Sequence, residues 1–232
     1  MTEMAAVRPD TEFIRRILDS GGGDLKQCFQ CATCSVACEL AEGQRRPFPR
    51  KEMIWAQWGL KDRLLADPDI WLCHQCNDCS TKCPRGARPG DVLAAVRHEA
   101  VCHYAAPGFL GNWLSHGKML PVLLLLPALL LALALGVRDQ LWASGQGVLG
   151  YLHHPGFYSD LFPHWLLIGF YSTFWGLALL GAAVGVTRFW RAMKSADLAA
   201  GREVASLGVV GSTLRTIKSI LVHDKFSKCT SE

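Results

Sequence analysis

The sequence predicts a mainly α-helical chain, in which a helical, cysteine-rich domain is followed by a transmembrane helical hairpin. Two observations predict this division. Nine of the ten cysteines lie in the first half of the chain. Two later segments, 119–137 and 165–187, are apolar and contain no charged residue, and about 20 such residues suffice to cross a bilayer as a helix. We therefore place the cysteine-rich domain at 1–110, two transmembrane helices within 111–190 and a basic tail at 191–232.

The charge and the N-terminus restrict the function. The formal net charge of +4 is small and scattered, without the basic stripe of nucleic-acid-binding domains, so no nucleic-acid partner is predicted. The first twenty residues include acidic side chains and lack the apolar run that a secretory signal needs. The cysteines are therefore expected in the cytoplasm, where thiols stay reduced and dense cysteine patterns indicate metal or redox chemistry.

Eight of the cysteines form two runs with the same spacing. Residues 28–38 read CFQCATCSVAC and residues 73–84 read CHQCNDCSTKCP, so each run has the pattern C-x2-C-x2-C-x3-C. The first run contains Cys28, Cys31, Cys34 and Cys38. The second contains Cys73, Cys76, Cys79 and Cys83. Bacterial ferredoxins bind two [4Fe-4S] clusters with this spacing, and the fourth cysteine of each run ligates the other cluster.

We therefore predict crossed ligation of two [4Fe-4S] clusters. The first cluster is assigned to Cys28, Cys31, Cys34 and Cys83. The second is assigned to Cys73, Cys76, Cys79 and Cys38. Among the alternatives, structural zinc would leave the third cysteine of each run without a role, and disulfides would require an oxidising compartment. Two cysteines outside the runs, Cys102 and Cys229, are interpreted as ordinary thiols.

Apolar residues recur at helical spacing in three other segments of the N-terminal domain, at 11–18, 49–65 and 91–104. These patterns predict three helices that surround the clusters. A basic turn near the start of the second helix is interpreted either as solvated surface or as a docking face for an acidic partner. Its residues are Arg45, Arg46, Pro47, Arg50 and Lys51.

The long helical segment between the cysteine runs resembles the C subunit of heterodisulfide reductase (HdrC). The resemblance covers most of residues 10–100 and is carried by PRKEMIWAQWGL and DIWLCHQCNDCSTKCPRGARPGDV. An HdrC-like domain fused to membrane helices is similar to the membrane subunit of the quinone-interacting membrane-bound oxidoreductase complex (QmoC), whose C-terminal half resembles HdrE-type or nitrate-reductase-gamma-type cytochromes. Glycerol-3-phosphate dehydrogenase C subunits and succinate dehydrogenase iron–sulfur subunits share the cysteine runs but lack this fusion.

This resemblance implies an electron-transfer subunit rather than a catalytic one. Electrons would pass between quinone and an HdrA-like flavoprotein partner (QmoA/QmoB-like), in dissimilatory sulfur metabolism with adenylylsulfate reductase as the eventual partner. The alternatives are the C subunit of a heterodisulfide or thiol reductase and a purely structural role of the clusters. Disulfide cleavage in that family is associated with a separate subunit bearing CCG motifs, and this chain has no adjacent cysteine pair. The resemblance also implies further membrane helices, so the chain is expected to be truncated or the product of a split gene.

Basic residues and histidines predict the arrangement of the membrane half. The loop between the apolar segments carries Arg138 alone, whereas Lys118 precedes the first segment and eight basic residues follow the second. By the positive-inside rule, both ends face the cytoplasm of a multi-pass inner-membrane protein. A haem b in a helix bundle takes axial ligands from two helices. His164, at the outer end of the second segment, is the candidate ligand, and the alternative is an interfacial histidine that contacts headgroups.

Overall fold

The computed structural model describes residues 8–41, 48–141, 164–201 and 209–222. These residues are mainly helical and contain no β-strand, as the sequence predicts. The chain divides into two compact units, 1–193 and 194–232. The α-helices of the described residues are, in chain order, α1 (Thr11–Ile17), α2 (Thr33–Val36), α3 (Arg50–Gln57), α4 (Lys61–Leu65), α5 (Asp69–Leu72), α6 (Asp78–Thr81), α7 (Pro89–Tyr104), α8 (Gly108–Ser115), α9 (Leu120–Leu141), α10 (His164–Ala199) and α11 (Val209–Val222).

Helix α1 confirms the first predicted helix. The Asp10 side chain accepts a hydrogen bond of 2.8 Å from the backbone N–H of Phe13, which satisfies a donor that the first turn leaves free. Phe13 and Ile17, four residues apart, are fully buried. A π-helical turn (Leu18–Gly22) and a 3-10 turn (Gly23–Gln27) then lead into the first cysteine run.

The second predicted helix, 49–65, is wrong as a single element, because the chain breaks between α3 and α4. Gly59 has a φ of +63°, in the left-handed region. A Cβ at this position would lie 2.7 Å from the carbonyl oxygen of Asp10, and the Asp10 N–H donates to the Gly59 carbonyl at 3.0 Å. Only glycine fits both the backbone conformation and the close approach, and the apolar spacing of the segment contains no sign of that contact.

Helix α7 confirms the third predicted helix and lies at the centre of the domain core. Its buried residues Val92 and Val96 belong to the same apolar cluster as Phe13 of α1. Burial of a side chain of this size contributes roughly 1.5–3 kcal/mol. Arg16 of α1 donates a 2.8 Å hydrogen bond to Glu99, so a charged pair also ties α1 to α7.

Helices α9 and α10 cover the two apolar segments. Within the described residues, Leu167–Ala199 is the one helix that is long and apolar enough by itself to cross a membrane, with a mean hydropathy of 1.7 and none of its apolar window buried. Gly108–Ser115 and Gly117–Leu130 meet the same criterion only as a pair, and the two helices are bent by 95° relative to each other.

Helix α10 approaches the end of α7 through three positions on one helical face. A Cβ on Gly181 would lie 2.6 Å from the Ala106 carbonyl oxygen. The guanidinium of Arg188 donates to the Ala105 carbonyl at 3.3 Å. Between them, a Cβ on Gly185 would lie 3.2 Å from the Tyr104 carbonyl oxygen. The small residues therefore allow the apolar helix to pack directly on backbone carbonyls.

Candidate iron–sulfur site

The two cysteine runs fold into loops with the same backbone conformation. Gln30 and Gln75, the second residue after the first cysteine of each run, have φ values of 58° and 59°. Ala32 and Asn77, two residues further, both have a φ of 68°. Each glutamine N–H lies 3.4 Å from the sulfur of the first cysteine in its run. The sequence repeat is thus also a repeat of local structure, which presents the sulfurs and the N–H groups in the same way twice.

One cavity brings together cysteines from both runs. Its sulfur-bearing residues are Cys28, Cys31, Cys34 and Cys83. Three of these belong to the first run and Cys83 is the last cysteine of the second, which is the grouping assigned to the first cluster. Among the described residues, no histidine or carboxylate lines this cavity. Such a purely sulfur-donating set suits a cluster of iron and sulfide, so the residues fit the predicted cofactor.

Cys79, one of the remaining four cysteines, is influenced by the other three. Burial raises the pKa of the Cys79 thiol, a hydrogen bond with Ser80 lowers it, and the charges of three other cysteines raise it further. These three are Cys73, Cys38 and Cys76. Cys38 of the first run is thus close enough to Cys79 of the second run to influence it. Helices α2 and α6, which carry Cys34 and Cys79, also contact each other.

Burial divides the sulfurs of the first cavity. Burial, followed by the charges of Cys28, Cys79 and Cys31, raises the pKa of the Cys34 thiol to about 12. Cys31 is exposed, and its pKa is lowered by a hydrogen bond with the Thr33 side chain, whose oxygen lies 3.3 Å from the sulfur. One sulfur of this set therefore points into the domain and another reaches solvent, where a redox partner can approach.

Side chains outside the runs hold both loops by their carbonyl groups. Gln57 of α3 donates to the Cys28 carbonyl at 2.8 Å, and Arg50 of the same helix donates to the Gln30 carbonyl at 3.0 Å. In the second loop, Arg97 of α7 donates to the Cys73 carbonyl at 3.0 Å. The sequence prediction missed Gln57 and Arg97 and assigned Arg50 to the basic turn. Nothing in the sequence connects these polar residues to a particular loop.

The left-handed conformation of Ala32 leads to a stability prediction. A left-handed backbone costs an L-residue about 1–2 kcal/mol, and asparagine, which the second loop has at Asn77, tolerates it better than alanine. We expect Ala32→Gly to stabilise the loop by about 1 kcal/mol, measured as a higher denaturant midpoint for loss of cluster absorbance. Ala37→Gly is the control, because Ala37 has a φ of −80° and glycine is unfavourable there. Equal effects of both substitutions would contradict the prediction.

Of the histidines considered as haem ligands, His164 is the one candidate that lies at the end of an apolar helix within the described residues. His164 is exposed at the first residue of α10. His116 has its ring Nδ1 2.6 Å from the Asn112 carbonyl, and His153 and His154 lie outside the described residues. Within the described residues, His164 is thus an exposed imidazole at the start of α10, and no second histidine is paired with it as an axial ligand.

A buried cluster of charged residues, which the sequence prediction missed, joins α3 to the start of α5. The Lys51 ammonium is 2.5 Å from Asp67, 2.8 Å from Asp69 and 3.2 Å from Glu52. All three carboxylates are buried, and their oxygens lie within 4.8 Å of one another. The ammonium of this chain thus occupies the centre of the acidic group, which is why we interpret the cluster as a structural ion pair. We call it the Lys51 cluster.

Comparison with known proteins agrees with this geometry. Residues 24–87 match the family model described as "4Fe-4S dicluster domain". The chain is similar to the C subunit of the H(2):CoB-CoM heterodisulfide,ferredoxin reductase of Methanothermobacter marburgensis, with 40% identity over 92 residues, which are 39% of this chain and 49% of that protein. It is also similar to a protein of Archaeoglobus profundus described as like the C subunit of heterodisulfide reductase, with 35% identity over 104 residues, 43% of this chain and 55% of that protein.

These matches define the class of the N-terminal part. It is a mainly helical 4Fe-4S dicluster domain, similar to proteins named as C subunits of heterodisulfide reductases. The chain spans about half the length of these relatives. The iron–sulfur prediction is therefore confirmed at the level of the domain. The individual ligands, the quinone and the haem remain predictions.

Proposed function

We propose that this chain is a membrane-attached electron-transfer subunit of heterodisulfide reductase type. The observation that carries the proposal is the cavity in which Cys83 of the second run joins Cys28, Cys31 and Cys34 of the first. We propose that these four hold one cluster and that Cys73, Cys76, Cys79 and Cys38 hold the other. When bound, such clusters supply one-electron redox chemistry over a wide range of potentials. The chain's own contribution is to position the sulfurs and to leave Cys31 at the surface.

Within this proposal, the membrane half exchanges electrons with quinone. An apolar groove of about 1140 Å³ between α7 and α10 supports this step, because it is apolar and large enough to hold a ligand of the usual pocket size of roughly 300–1000 Å³. Trp71 lines the groove and lies two residues before Cys73. The domain division 1–110, 111–190 and 191–232, with α9 and α10 as two membrane spans and both ends in the cytoplasm, belongs to the same proposal, as does a haem b on His164.

The partners are proposed from the resemblance. An HdrA-like flavoprotein (QmoA/QmoB-like) would exchange electrons with the dicluster domain, and adenylylsulfate reductase would be the eventual partner in dissimilatory sulfur metabolism. The names of the relatives favour a second candidate, the C subunit of a heterodisulfide or thiol reductase. The two differ in the electron partner, because the first requires quinone and the second a disulfide.

The test begins with the purified, detergent-solubilised chain. We expect about eight irons and as many labile sulfides per chain, with interacting cubane signals in the EPR spectrum after dithionite reduction. Reoxidation by a soluble quinone supports the first candidate, and reoxidation by a heterodisulfide alone supports the second. An optical spectrum tests for b-type haem through His164. Zinc in place of iron, or clusters that cannot be reduced and reoxidised, would contradict electron transfer.

Crossed ligation predicts the iron content of two double variants. In Cys31→Ser/Cys83→Ser both changes affect the same proposed cluster, so we expect about four irons to remain. In Cys31→Ser/Cys76→Ser each change affects a different cluster, so we expect loss of both. Iron analysis and EPR of anaerobically purified protein provide the measurement.

The matched control is Cys102→Ser, which removes a thiol outside both runs. Cys102 lies at the end of α7 with its sulfur 3.5 Å from the Gly111 carbonyl, and we expect this variant to retain both clusters. If Cys31→Ser/Cys83→Ser lost both clusters while Cys31→Ser/Cys38→Ser lost only one, each run would bind its own cluster and the crossed assignment would be wrong.

A further inference from the structure

Helix α8 exposes an arc of large apolar side chains. Phe109 is 56% exposed, Leu110 39%, Trp113 47% and Leu114 61%. At about 100° per residue these four positions span an arc of about 140°, wide enough for an amphipathic face. The rings of Phe109 and Trp113 also contact each other edge-on at 5.7 Å. A soluble domain normally turns such a face toward its own core.

The side of α8 opposite Phe109 and Trp113 packs on the domain. Gly111 is buried, and a Cβ there would lie 3.0 Å from the Cα of Cys102 and 3.1 Å from the Cβ of Ala105. Around the helix, the Gly111 position lies about 160° from both Phe109 and Trp113, but about 100° from Leu110 and about 60° from Leu114. The close contact therefore fixes the rotation of α8 about its axis. It directs Phe109 and Trp113 away from α7, whereas Leu110 borders the groove between α7 and α10.

The axis of α8 runs nearly perpendicular to the apolar helix that follows, with an angle of 95° between Gly108–Ser115 and Gly117–Leu130. With eight residues, α8 is about 12 Å long, too short to cross a bilayer of roughly 30 Å. If the following helix enters the bilayer along its normal, α8 lies parallel to the membrane surface. His116 and Lys118 are exposed between the two helices, where polar headgroups lie.

We propose that α8 is an interfacial helix, with its apolar face inserted at the boundary between headgroups and acyl chains. This inference rests on the membrane attachment in the proposed function. The occupant of the face is the lipid of the bilayer surface, because the face continues into an apolar helix, carries the tryptophan and phenylalanine typical of membrane interfaces, and is followed by His116 and Lys118. Through Gly111 and α7, α8 would hold the dicluster domain in a fixed orientation on the membrane.

Photo-crosslinking in nanodiscs of phosphatidylethanolamine and phosphatidylglycerol tests this proposal. The photoreactive residue p-benzoylphenylalanine replaces Phe109, and separately Trp58, which is also 56% exposed but lies in the dicluster domain at the end of α3. It also replaces Leu177, 59% exposed in the apolar part of α10. After irradiation, mass spectrometry identifies lipid and protein adducts. The cluster absorbance of each variant verifies that it is folded.

We expect lipid adducts at positions 109 and 177, each several-fold above position 58. Lipid adducts at 177 without adducts at 109 would overturn the interfacial helix and leave the membrane attachment intact. Protein adducts at 109 would overturn it too, because another protein or a second copy would then cover the face. Absence of lipid adducts at 177 would mean that the membrane attachment itself is wrong, and the interfacial helix with it. Loss of iron–sulfur redox activity alone would contradict the electron-transfer proposal without changing the expected lipid adducts.

Discussion

Replacing Lys51 with methionine is expected to destabilise the dicluster domain by about 3–5 kcal/mol, because the substitution leaves three buried carboxylates without their counter-ion. Burial would lower the pKa of the Lys51 ammonium, but the surrounding carboxylates raise it above its ordinary value. The ammonium also lies 5.0 Å from the ring centroid of Trp55. Methionine preserves the volume of the side chain, so the loss would come from the charge.

Lys61→Met is the matched control, since Lys61 is half-buried and forms no ion pair with another described residue. Guanidinium unfolding followed by far-UV circular dichroism gives the free energy of unfolding of both variants under anaerobic conditions. We expect a change of less than about 1 kcal/mol for the control, because the substitution leaves no buried charge without a counter-ion. Equal midpoints for the two variants would mean that the carboxylates are stabilised by other groups.

Local spacing was sufficient to predict the site itself. Two-residue gaps between cysteines restrict the sulfurs of one run to a single loop, so the ligand type and the cluster class follow from the sequence within about ten residues. The same holds for α1 and α7, whose apolar residues recur at helical spacing and are buried on one face. These are properties of short segments, which a sequence expresses directly.

Long-range contacts explain what the sequence did not predict. The break at Gly59 depends on contact with Asp10, which lies 49 positions earlier in the numbering. The interpretation of the basic turn as solvated surface or docking face is wrong for Lys51, which is 15% exposed within its acidic cluster. Arg50 likewise binds a loop carbonyl, and Arg45, Arg46 and Pro47 lie outside the described residues.

Glu52 leads to the second large prediction, a dependence of stability on pH. Its carboxylate is fully buried, and neither oxygen accepts a hydrogen bond of good geometry from a described residue, although the Lys51 ammonium lies 3.2 Å away. Burial raises the pKa of Glu52 from 4.5 to about 7, although the Lys51 charge lowers it in part. In the unfolded chain this carboxyl ionises near its ordinary value.

The sign follows from these two pKa values. Below the unfolded pKa, Glu52 is protonated in both states, and its full contribution to stability is present. As the pH rises, the unfolded chain loses this proton first, so stability falls until the folded pKa is passed. Between about pH 5.5 and pH 8 this loss amounts to roughly 2 kcal/mol. A glutamine side chain at this position cannot titrate, so the Glu52→Gln variant lacks this part of the slope.

We therefore expect Glu52→Gln to gain roughly 2 kcal/mol relative to the unsubstituted chain between about pH 5.5 and pH 8. Anaerobic denaturant titrations at several pH values measure this difference. Glu12→Gln is the control, because the Glu12 side chain is 79% exposed in a surface pair with Arg16. A constant difference between Glu52→Gln and the unsubstituted chain across this range would mean that Glu52 is ionised in the folded protein throughout, with Lys51 and its neighbours stabilising the charge as well as water does.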